Sequence, residues 1–400
     1  MKEKVKNLNN LKNNCIGCGA CVSVCKNRAI TQNFDNTGFF YPKINQDLCI
    51  NCGLCNSVCP VINNYKKNKD KSISTYWAKS KDNKILMQTS SGGLFYLLSN
   101  LIINKGGVII GASFTSDFYK VEHIFVDNRK DLNKVLTSKY LQSYVKEDIY
   151  KKVRQTLKNN IYVLFSGTSC QISALKQYLG KDKNSEYLLC VDVICHGVPS
   201  PKLWKSWLKY KENNENAKIN FINMRSKTTN WLSFCVLYEY KTQKDDIVSK
   251  KSNFMEDWYF KAFLQNASLR PSCFKCLFKR KSGSDITLGD FWGINKIKPE
   301  VEYTNGVSAV ICNTNKGVKF FNSILDNIDN GKASYSDILQ FNPSLEEPAT
   351  PYKKRDEFLC DLANSMSIED LIKKYTFNLP LHKKFLNKTK SLIKKLIFKK

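Results

Sequence analysis

The sequence predicts a small α+β module at the N-terminus, followed by an α/β domain with a mixed, largely parallel sheet. Eight of the sixteen cysteines lie in two tight clusters near the start of the chain. Further on, short β-rich runs alternate with helical runs, which is typical of strands joined by crossover helices. We therefore expect a cysteine-dense module at 1–62, a polar linker at 63–74, an α/β domain at 75–328 with parts at about 75–150 and 155–328, and a C-terminal helical extension with a basic tail at 329–400.

Composition narrows the class of protein. The chain has 400 residues, of which 42% are hydrophobic, and this is enough to bury a globular core. Residues 1–14 lack the apolar segment of a secretory signal, and no apolar run is long enough to span a bilayer, so we expect a cytoplasmic location. Thiols stay reduced there, so paired cysteine clusters indicate metal ligands rather than disulfides.

The net charge of +28 has two interpretations. It fits a Lys- and Asn-rich genome, and it also fits a surface that attracts acidic partners such as a redox protein or an anionic membrane. The tail at 382–400 carries Leu392, Ile393, Leu396 and Ile397 at helical spacing. This suits either a solvated terminal helix or an amphipathic helix in peripheral contact with a membrane. No nucleic-acid-binding motif accompanies the charge, so no nucleic acid partner is expected.

The cysteines of the first 62 residues repeat one spacing. The runs are Cys15-x2-Cys18-x2-Cys21-x3-Cys25 and Cys49-x2-Cys52-x2-Cys55-x3-Cys59-Pro60. This is the bacterial ferredoxin spacing, in which the fourth cysteine of each run binds the other cluster. The module is therefore predicted to be ferredoxin-like, with two 4Fe-4S clusters. Cys15, Cys18, Cys21 and Cys59 are assigned to one cluster, and Cys49, Cys52, Cys55 and Cys25 to the other. A pair of zinc sites is the alternative, although zinc motifs rarely use this spacing.

Two such clusters carry electrons singly and need an acceptor. The remaining roughly three hundred residues are available to hold one. A flavin is the natural choice, because it exchanges one electron at a time with clusters and two with organic substrates. A nucleotide site is therefore expected in the large domain.

One strand–turn–helix–strand unit stands out in the predicted α/β domain. A strand at 161–165 is followed by a turn at 166–170, a helix at 171–179 and a strand at 187–194. Such units bind nucleotides at the first turn, because backbone amides at a helix N-terminus can cradle a phosphate.

A second candidate ligand site lies at 90–93, where two serines and two glycines precede a predicted helix at 94–103 and a buried strand at 108–114. Glycine there permits close approach of a ligand to the backbone. A plain helix N-cap explains the same residues equally well.

Cys273-x2-Cys276 lies in a polar, basic segment. A lone C-x-x-C fits a redox pair, half a metal site or chance. Cys170 in the predicted turn and Cys195 after a predicted strand would complete a four-thiolate site, because turns at strand ends often converge. His196 suits either a hydrogen-bonded structural role or a proton donor beside a flavin.

An ordered series of segments, together with the two cysteine runs, resembles the coenzyme F420 hydrogenase/dehydrogenase beta-subunit family over most of the chain. The segments are SSGG at 90–93, SKYLQS at 138–143, SGTSCQ at 166–171, CHGVPSP at 195–201, MRSKTTNW at 224–231, RPSCFKC at 270–276 and SDITLGDFWG at 284–293. The resemblance implies an FAD-binding α/β domain with iron–sulfur clusters. Such proteins pass electrons between clusters, flavin and a two-electron carrier or substrate, typically coenzyme F420.

The resemblance also implies roles for individual residues. The flavin pocket would involve Ser90, Ser91, Gly92, Gly93, Lys139, Gln142, Ser166, Gly167, Thr168 and Ser169. A third 4Fe-4S cluster would be held by Cys170, Cys195, Cys273 and Cys276. Lys139 and His196 are the candidate catalytic residues. The chain departs from the family at Ser169, where many relatives have Pro, and at Met224, Ser226 and Asn230, which leaves the substrate open.

Two functions from different classes fit these observations. The first is an FAD and iron–sulfur oxidoreductase acting on coenzyme F420 or another small organic acceptor. The second is a non-catalytic electron-transfer subunit that wires a partner enzyme, for example in surface-polysaccharide biosynthesis, because related chains often occur beside such enzymes. In both, a redox partner protein or enzyme subunit is expected.

Overall fold

The computed structural model describes residues 8–63, 73–242 and 244–377. Within these residues the chain forms a two-stranded, a three-stranded and a nine-stranded sheet. The strands are β1 (Ile30–Phe34), β2 (Phe40–Ile44), β3 (Ser74–Ser80), β4 (Val108–Phe114), β5 (Val121–Val126), β6 (Ser143–Tyr144), β7 (Val163–Thr168), β8 (Leu188–Val193), β9 (Lys218–Ser226), β10 (Cys235–Lys241), β11 (Ile247–Asn253), β12 (Ile286–Asp290), β13 (Ser308–Cys312) and β14 (Ile328–Lys332). The α-helices are α1 (Ala20–Val24), α2 (Leu54–Ser57), α3 (Pro60–Asn63), α4 (Asn83–Gln88), α5 (Leu94–Asn104), α6 (Arg129–Leu132), α7 (Glu147–Lys158), α8 (Ser169–Leu179), α9 (Pro201–Glu215), α10 (Trp258–Leu264), α11 (Ile294–Ile297), α12 (Asn315–Asn322), α13 (Tyr335–Phe341), α14 (Arg355–Ala363) and α15 (Ile368–Lys374).

The N-terminal module is a β1–β2 hairpin with short helices around it. Ile30 pairs with Ile44 at one end of the antiparallel hairpin, and Phe34 pairs with Phe40 at the other. Helices α1 and α2 each follow a glycine in the left-handed region, Gly19 with φ 77° and Gly53 with φ 73°. Glycine is favoured at such φ values because it has no Cβ. Both turns lie inside the cysteine runs, so the backbone reverses where the thiols must face inward.

The nine-stranded sheet has the order β14-β3-β13-β12-β8-β7-β4-β5-β6. Strands β12, β8, β7 and β4 are parallel neighbours at its centre. Antiparallel pairs flank this block, with β13, β3 and β14 on one side and β5 on the other, and β6 is parallel to β5. The predicted mixed, largely parallel sheet is therefore confirmed.

Helices cover both faces of this sheet. On β4, Ile109 packs in one apolar cluster with residues of α5, while its neighbour Ile110 packs in another with residues of α7 and α8. Successive strand residues point to opposite faces, so adjacent apolar residues are expected in a strand that is buried on both sides. The apolar runs of β7 and β8 follow the same rule.

The three-stranded antiparallel sheet β9–β10–β11 packs elsewhere, against α9, α10 and the C-terminal helices. Its core is aromatic and includes Trp204, Trp207, Tyr238, Tyr259 and Phe358. The predicted boundary at 328 stays a prediction; β14, which begins there, pairs with β3 in the large sheet.

Helix α5 and strand β4 confirm the predicted elements at 94–103 and 108–114. The predicted turn at 166–170 is wrong in its extent. Strand β7 continues through Thr168, because Ser166 to Thr168 pair with β8, and α8 begins at once with Ser169. No helix among the described residues is both long and apolar enough to cross a membrane. The basic tail at 382–400 and most of the linker at 63–74 lie outside the described residues.

Candidate functional site

Four thiols of the N-terminal module form a buried group. Cys15, Cys18, Cys21 and Cys59 are each at most 9% exposed. Burial raises the pKa values of three of these thiols: well above the ordinary value for Cys18 and Cys21, and to about 11 for Cys59. The charges of these thiolates also act on one another, with Cys59 among the neighbours of Cys18 and Cys21. The predicted grouping of Cys59 with the first run therefore fits the fold.

The other run lies at the surface. Cys52 is exposed, and Cys49 and Cys55 are half-buried. The pKa of Cys55 is raised, mainly by burial, and Cys52 and Cys49 contribute to the shift. Cys25, the predicted fourth ligand, is half-buried and accepts a hydrogen bond from the backbone amide of Ala29 at 3.3 Å. Amide donors to cysteine sulfur are typical of iron–sulfur ligand loops.

Among the residues that the structure describes, no three His, Cys, Asp or Glu side chains surround the position of a single metal ion. A cubane binds each thiolate to a different iron, so its ligands stand farther apart than ligands of one ion.

Four more thiols meet beside the large sheet. Cys170 is in the first turn of α8, Cys195 follows β8, and Cys273 lies in a 3₁₀ turn at Pro271–Lys275, just before Cys276. Burial raises the pKa of Cys170, and Cys276, Cys195 and Cys273 all contribute to that rise. Burial likewise raises the pKa of Cys273 to about 12, with Cys195 and Cys276 adding to it. The predicted set is therefore brought together in space.

A cavity of about 340 Å³ opens at the carboxyl ends of β7, β8 and β12. Ligands in α/β sheets bind at such strand ends, and the volume lies in the range of cofactor sites. Its wall includes most of the predicted flavin and catalytic residues. They are Ser90, Ser91, Gly93, Lys139, Gln142, Ser166, Gly167, Thr168 and His196. Cys170, Cys195 and Ile16, which follows the first cluster cysteine, line the same cavity.

The segment at 90–93 is held by its neighbours on every side. Ser90 Oγ accepts hydrogen bonds from the backbone amide and the hydroxyl of Ser138, at 2.7 and 2.9 Å. Ser91 Oγ donates to the carbonyl of Val307 at 3.0 Å. Gly92 does not line the cavity but lies behind it, where a Cβ would meet the carbonyl of Ala78 and the amide of Ser308. Gly93 then starts α5 with φ 82° and no side-chain cap.

In the segment at 166–169, the first three residues line the cavity and the fourth points into the protein interior. Thr168 and Gln171 form a capping box at the start of α8, with Gln171 Oε1 accepting from the Thr168 amide at 2.9 Å. Ser169, predicted to bind the cofactor, is not a wall residue of this cavity. Its Oγ donates instead to buried Asp192 at 2.7 Å, because the first turn of α8 faces the end of β8.

The two candidate catalytic residues differ in their surroundings. Lys139 Nζ donates to the carbonyl of Lys134 at 2.8 Å, and burial lowers its pKa to about 7. His196 Nε2 lies 2.6 Å from Asn266 Oδ1. Since Asn266 Nδ2 donates to the carbonyl of Thr350, its Oδ1 faces the ring, and Nε2 is the protonated nitrogen. Burial lowers the pKa of His196, so the ring is neutral near pH 7.

Several wall and support residues were not singled out from the sequence. His123 on β5 lines the cavity, lies 3.0 Å from the carbonyl of Ser166, and has its pKa lowered to about 4 by burial. Lys227 donates to the carbonyls of Ser91 and Asn305, both at 2.7 Å. Arg225 pairs with Asp290 at 2.7 Å in the wall. Arg225 and Lys227 lie in the segment 224–231 quoted above, but an isolated cation or histidine carries no spacing signal that would give it a role, so their contacts are known only from the fold.

Two protein-family models match the chain. Residues 14–63 match the 4Fe-4S dicluster domain, and residues 162–335 match the C terminus of the coenzyme F420 hydrogenase/dehydrogenase beta subunit. A solved structure of the F420-reducing NiFe hydrogenase complex from Methanosarcina barkeri contains a chain that is 15% identical. The match covers 78% of this chain and 95% of that one, with a TM-score of 0.44. The curated proteins contain no match to this chain.

The thiol module and the adjoining domain define an iron–sulfur protein of the electron-transfer class. More particularly, a segment that matches the 4Fe-4S dicluster domain, at 14–63, is joined to one that matches the C terminus of the coenzyme F420 hydrogenase/dehydrogenase beta subunit, at 162–335. The resemblance found from the sequence is confirmed.

Proposed function

We propose that this chain is an iron–sulfur flavoprotein oxidoreductase. It passes electrons between 4Fe-4S clusters, FAD and a two-electron carrier, either coenzyme F420 or another small organic acceptor. One observation carries the proposal: thiols from the third cysteine set and Ile16 of the first cluster loop line the same cavity as the predicted flavin residues. A redox ring bound there would lie against the iron–sulfur ligands.

The residues of the cavity fit FAD. Helix α5 has eleven residues, and its N-terminus at Gly93 has no side-chain cap, so its first amides can receive an anionic group such as a pyrophosphate. The N-terminus of α8 is already occupied by its own Gln171. Of the two predicted phosphate positions, the one at 90–93 is therefore favoured. Bound FAD would supply the exchange between single electrons and electron pairs.

The protein side chains would position the reactants and handle protons. With a pKa of about 7, the Lys139 amine can bind an anionic group when protonated and release that proton near neutral pH. The Nε2–H of neutral His196 is engaged by Asn266, so this ring is held in one orientation at the cavity wall. Apolar wall residues such as Phe263, Leu288 and Trp292 would exclude water from the site.

A third cluster at Cys170, Cys195, Cys273 and Cys276 belongs to this proposal. These thiols lie between the module and the cavity, because Cys170 and Cys276 also pack against the apolar cluster that contains Cys15 and Cys59. The arrangement would shorten each electron step between module and flavin.

The alternative is a non-catalytic subunit that carries electrons to or from a partner enzyme. The exposed thiol of the second run, Cys52, favours contact with another protein in either case. Reduction of free coenzyme F420 or another soluble acceptor by the isolated holoprotein would exclude this alternative.

The test is anaerobic purification followed by absorbance, paramagnetic resonance, iron and sulfide assays, and flavin extraction. We expect bound FAD and three clusters. Cys195→Ala should remove one cluster's worth of iron, whereas Cys360→Ala, which changes an exposed thiol outside all three sets, should not. Holoprotein that contains full iron but no flavin would contradict the proposal.

A further inference from the structure

We propose that the cluster of the second cysteine run is the outer terminal of the electron route, and that the apolar rim around it docks a small acidic one-electron carrier protein. The rim is defined as Leu48, Ile50 and Leu54. This inference rests on the proposed function, because it names the partner that exchanges electrons with the flavin site through the module.

The two cysteine runs differ in access. The first set is buried, whereas Cys52 is exposed and Cys49 and Cys55 are half-buried. The loop around them projects outward, with Asn51 and Gly53 in left-handed conformation, and a Cβ added to Gly53 would meet nothing within 4 Å. Electron transfer needs close approach of the two centres, so of the two clusters of the module the second is the one that a protein partner can approach more closely.

The rim gives this outer cluster an apolar border. Ile50 is 69% exposed, Leu48 49% and Leu54 37%, relative to the part of the chain that the structure describes. Single exposed apolar residues are common, but these three lie directly beside the thiols at 49 and 55 in the sequence. A small soluble reductant would need no such border. A docking protein would, because the centre of an interface is depleted in charge.

Charge favours an acidic carrier. Lys26 and Arg28 are exposed on a turn that adjoins the rim, where the side chain of Asn27 donates to the carbonyl of Leu48 at 3.4 Å. Asp47 is the one acidic residue between 45 and 57. The two cations offset the negative charge of the thiolate cluster and would attract an acidic partner over about 10 Å at moderate salt. The chain's net charge of +28 acts in the same direction.

The route from the rim leads inward. Helix α2, which begins at Leu54, ends beside α8, where Gln177 Nε2 donates to the carbonyl of Ser57 at 2.7 Å. The buried set follows, and Ile16 of its loop lines the cavity. Among the described residues, the cavity wall includes Ile16 of the first run but no residue of the second run. The second cluster is therefore the outer one of the two, as the terminal of a relay must be.

The test is stopped-flow reduction of the anaerobic holoprotein by a reduced acidic two-cluster ferredoxin, with dithionite as the small-molecule reductant. The double variant Ile50→Gln/Leu54→Gln should lower the second-order rate constant with ferredoxin by about tenfold or more, and Leu48→Gln alone by less. The matched control Ile247→Gln/Val248→Gln changes two residues of β11 that are 63% and 42% exposed, and should keep the wild-type rate.

A second pair of variants separates charge from apolar contact. Lys26→Glu/Arg28→Glu should lower the ferredoxin rate constant and flatten its dependence on salt. Lys205→Glu/Lys209→Glu changes the net charge equally on exposed positions of α9 and should have a smaller effect. Iron and sulfide content is measured for every variant, and Leu48→Gln replaces any double variant that loses iron.

The outcomes are distinguishable. If all rim variants react with ferredoxin at the wild-type rate, the proposal of a docking surface is wrong. If dithionite still reduces the flavin in these variants, the proposed function stands. If neither reductant reduces a flavin in the wild-type holoprotein, the proposed function itself fails. If rim variants keep the wild-type rate but shift light scattering from dimer to monomer, the rim is a contact between copies of this chain, and the carrier proposal is wrong.

Discussion

At the scale of single residues, Arg270 connects the module to the cavity wall. Its buried guanidinium donates to the carbonyls of Cys15 and Phe40, at 2.8 and 2.9 Å, and to Gln142 Oε1 at 3.1 Å. It also lies 4.5 Å from the ring centroid of Tyr41. A fixed positive charge is thereby placed between a cluster loop and a residue predicted to bind flavin. In the sequence, this arginine was only part of the setting of a C-x-x-C pair.

Arg270→Met should destabilise the holoprotein by about 3 kcal/mol, because it leaves two buried carbonyls and one amide oxygen without their donor. Denaturant unfolding of anaerobic protein measures this. Arg129→Met removes an exposed arginine that bonds Asn104 and should cost less than about 0.5 kcal/mol. An equal loss of unfolding free energy in the two variants would show that Arg270 does not connect the N-terminal module to the cavity wall.

Lys227 gives a prediction for pH. Burial lowers its pKa to about 7, whereas an unfolded lysine titrates near 10.4. Between these values the unfolded chain binds more protons than the folded one, so the contribution of this group to the free energy of unfolding rises with pH from about 7 to 10. Lys227→Met should flatten that part of the stability curve. Exposed Lys250, paired with Glu215, is the control, and Lys250→Met should leave the curve's shape unchanged.

At the scale of elements, the two helix starts at the cavity show what the sequence could and could not predict. Both were predicted as ligand turns, and both lie at the cavity. The difference between them depends on Gln171, which caps α8. The spacing Thr168-x-x-Gln171 is a capping-box signal that could have been found in the sequence. The sequence could not show that α5 lacks a side-chain cap, because Ser90 and Ser91 form hydrogen bonds with distant segments instead.

Gly92→Ala tests how tightly the segment at 90–93 is held. The new methyl group would meet the backbone carbonyl of Ala78 and lie 2.8 Å from the Ser308 amide, and neither strand can retreat within the sheet. We expect a loss of several kcal/mol in stability and of bound flavin. Gly106→Ala, in the turn after α5 and away from the cavity wall, is the control: its methyl group would meet nothing within 4 Å, so it should cost only about 1 kcal/mol for its left-handed backbone and should keep its flavin. A stable, flavin-loaded Gly92→Ala variant would contradict this account of the loop.

At the scale of the whole molecule, the regular patterns of the sequence predicted the main features of the fold. The ferredoxin spacing, the parallel core of the large sheet and the order of motifs around the cavity were all accessible, because each depends on local pattern. Contacts that join distant segments were not, such as Arg270 with Cys15 or Lys227 with Ser91. The hydrogen bond from Ser169 to Asp192 was missed for the same reason. Four hydroxyl groups, from residues 169, 282, 284 and 287, donate to this one carboxylate.

Removal of iron tests the coupling between clusters and fold. The buried thiols Cys18, Cys21 and Cys59 have raised pKa values, so without metal they would be neutral, and no metal–sulfur bonds would join the loops that carry them. Anaerobic chelation should therefore make residues 8–63 susceptible to limited proteolysis while the large sheet stays resistant. Mass spectrometry of the fragments checks this, with cluster-loaded protein as the control. Equal protection of the module in both samples would contradict the prediction.

The exchange of a cysteine that we propose between the two runs has a consequence for the stability of the clusters in air. Cys59 is buried with the cysteines of the first run, although it stands only four residues after Cys55 of the more exposed second run. Oxygen attacking the solvent-facing cube would loosen the same short stretch of backbone that anchors the sheltered one. Damage at the surface would thus spread inward, and the pair of cubes would be lost together rather than one after the other.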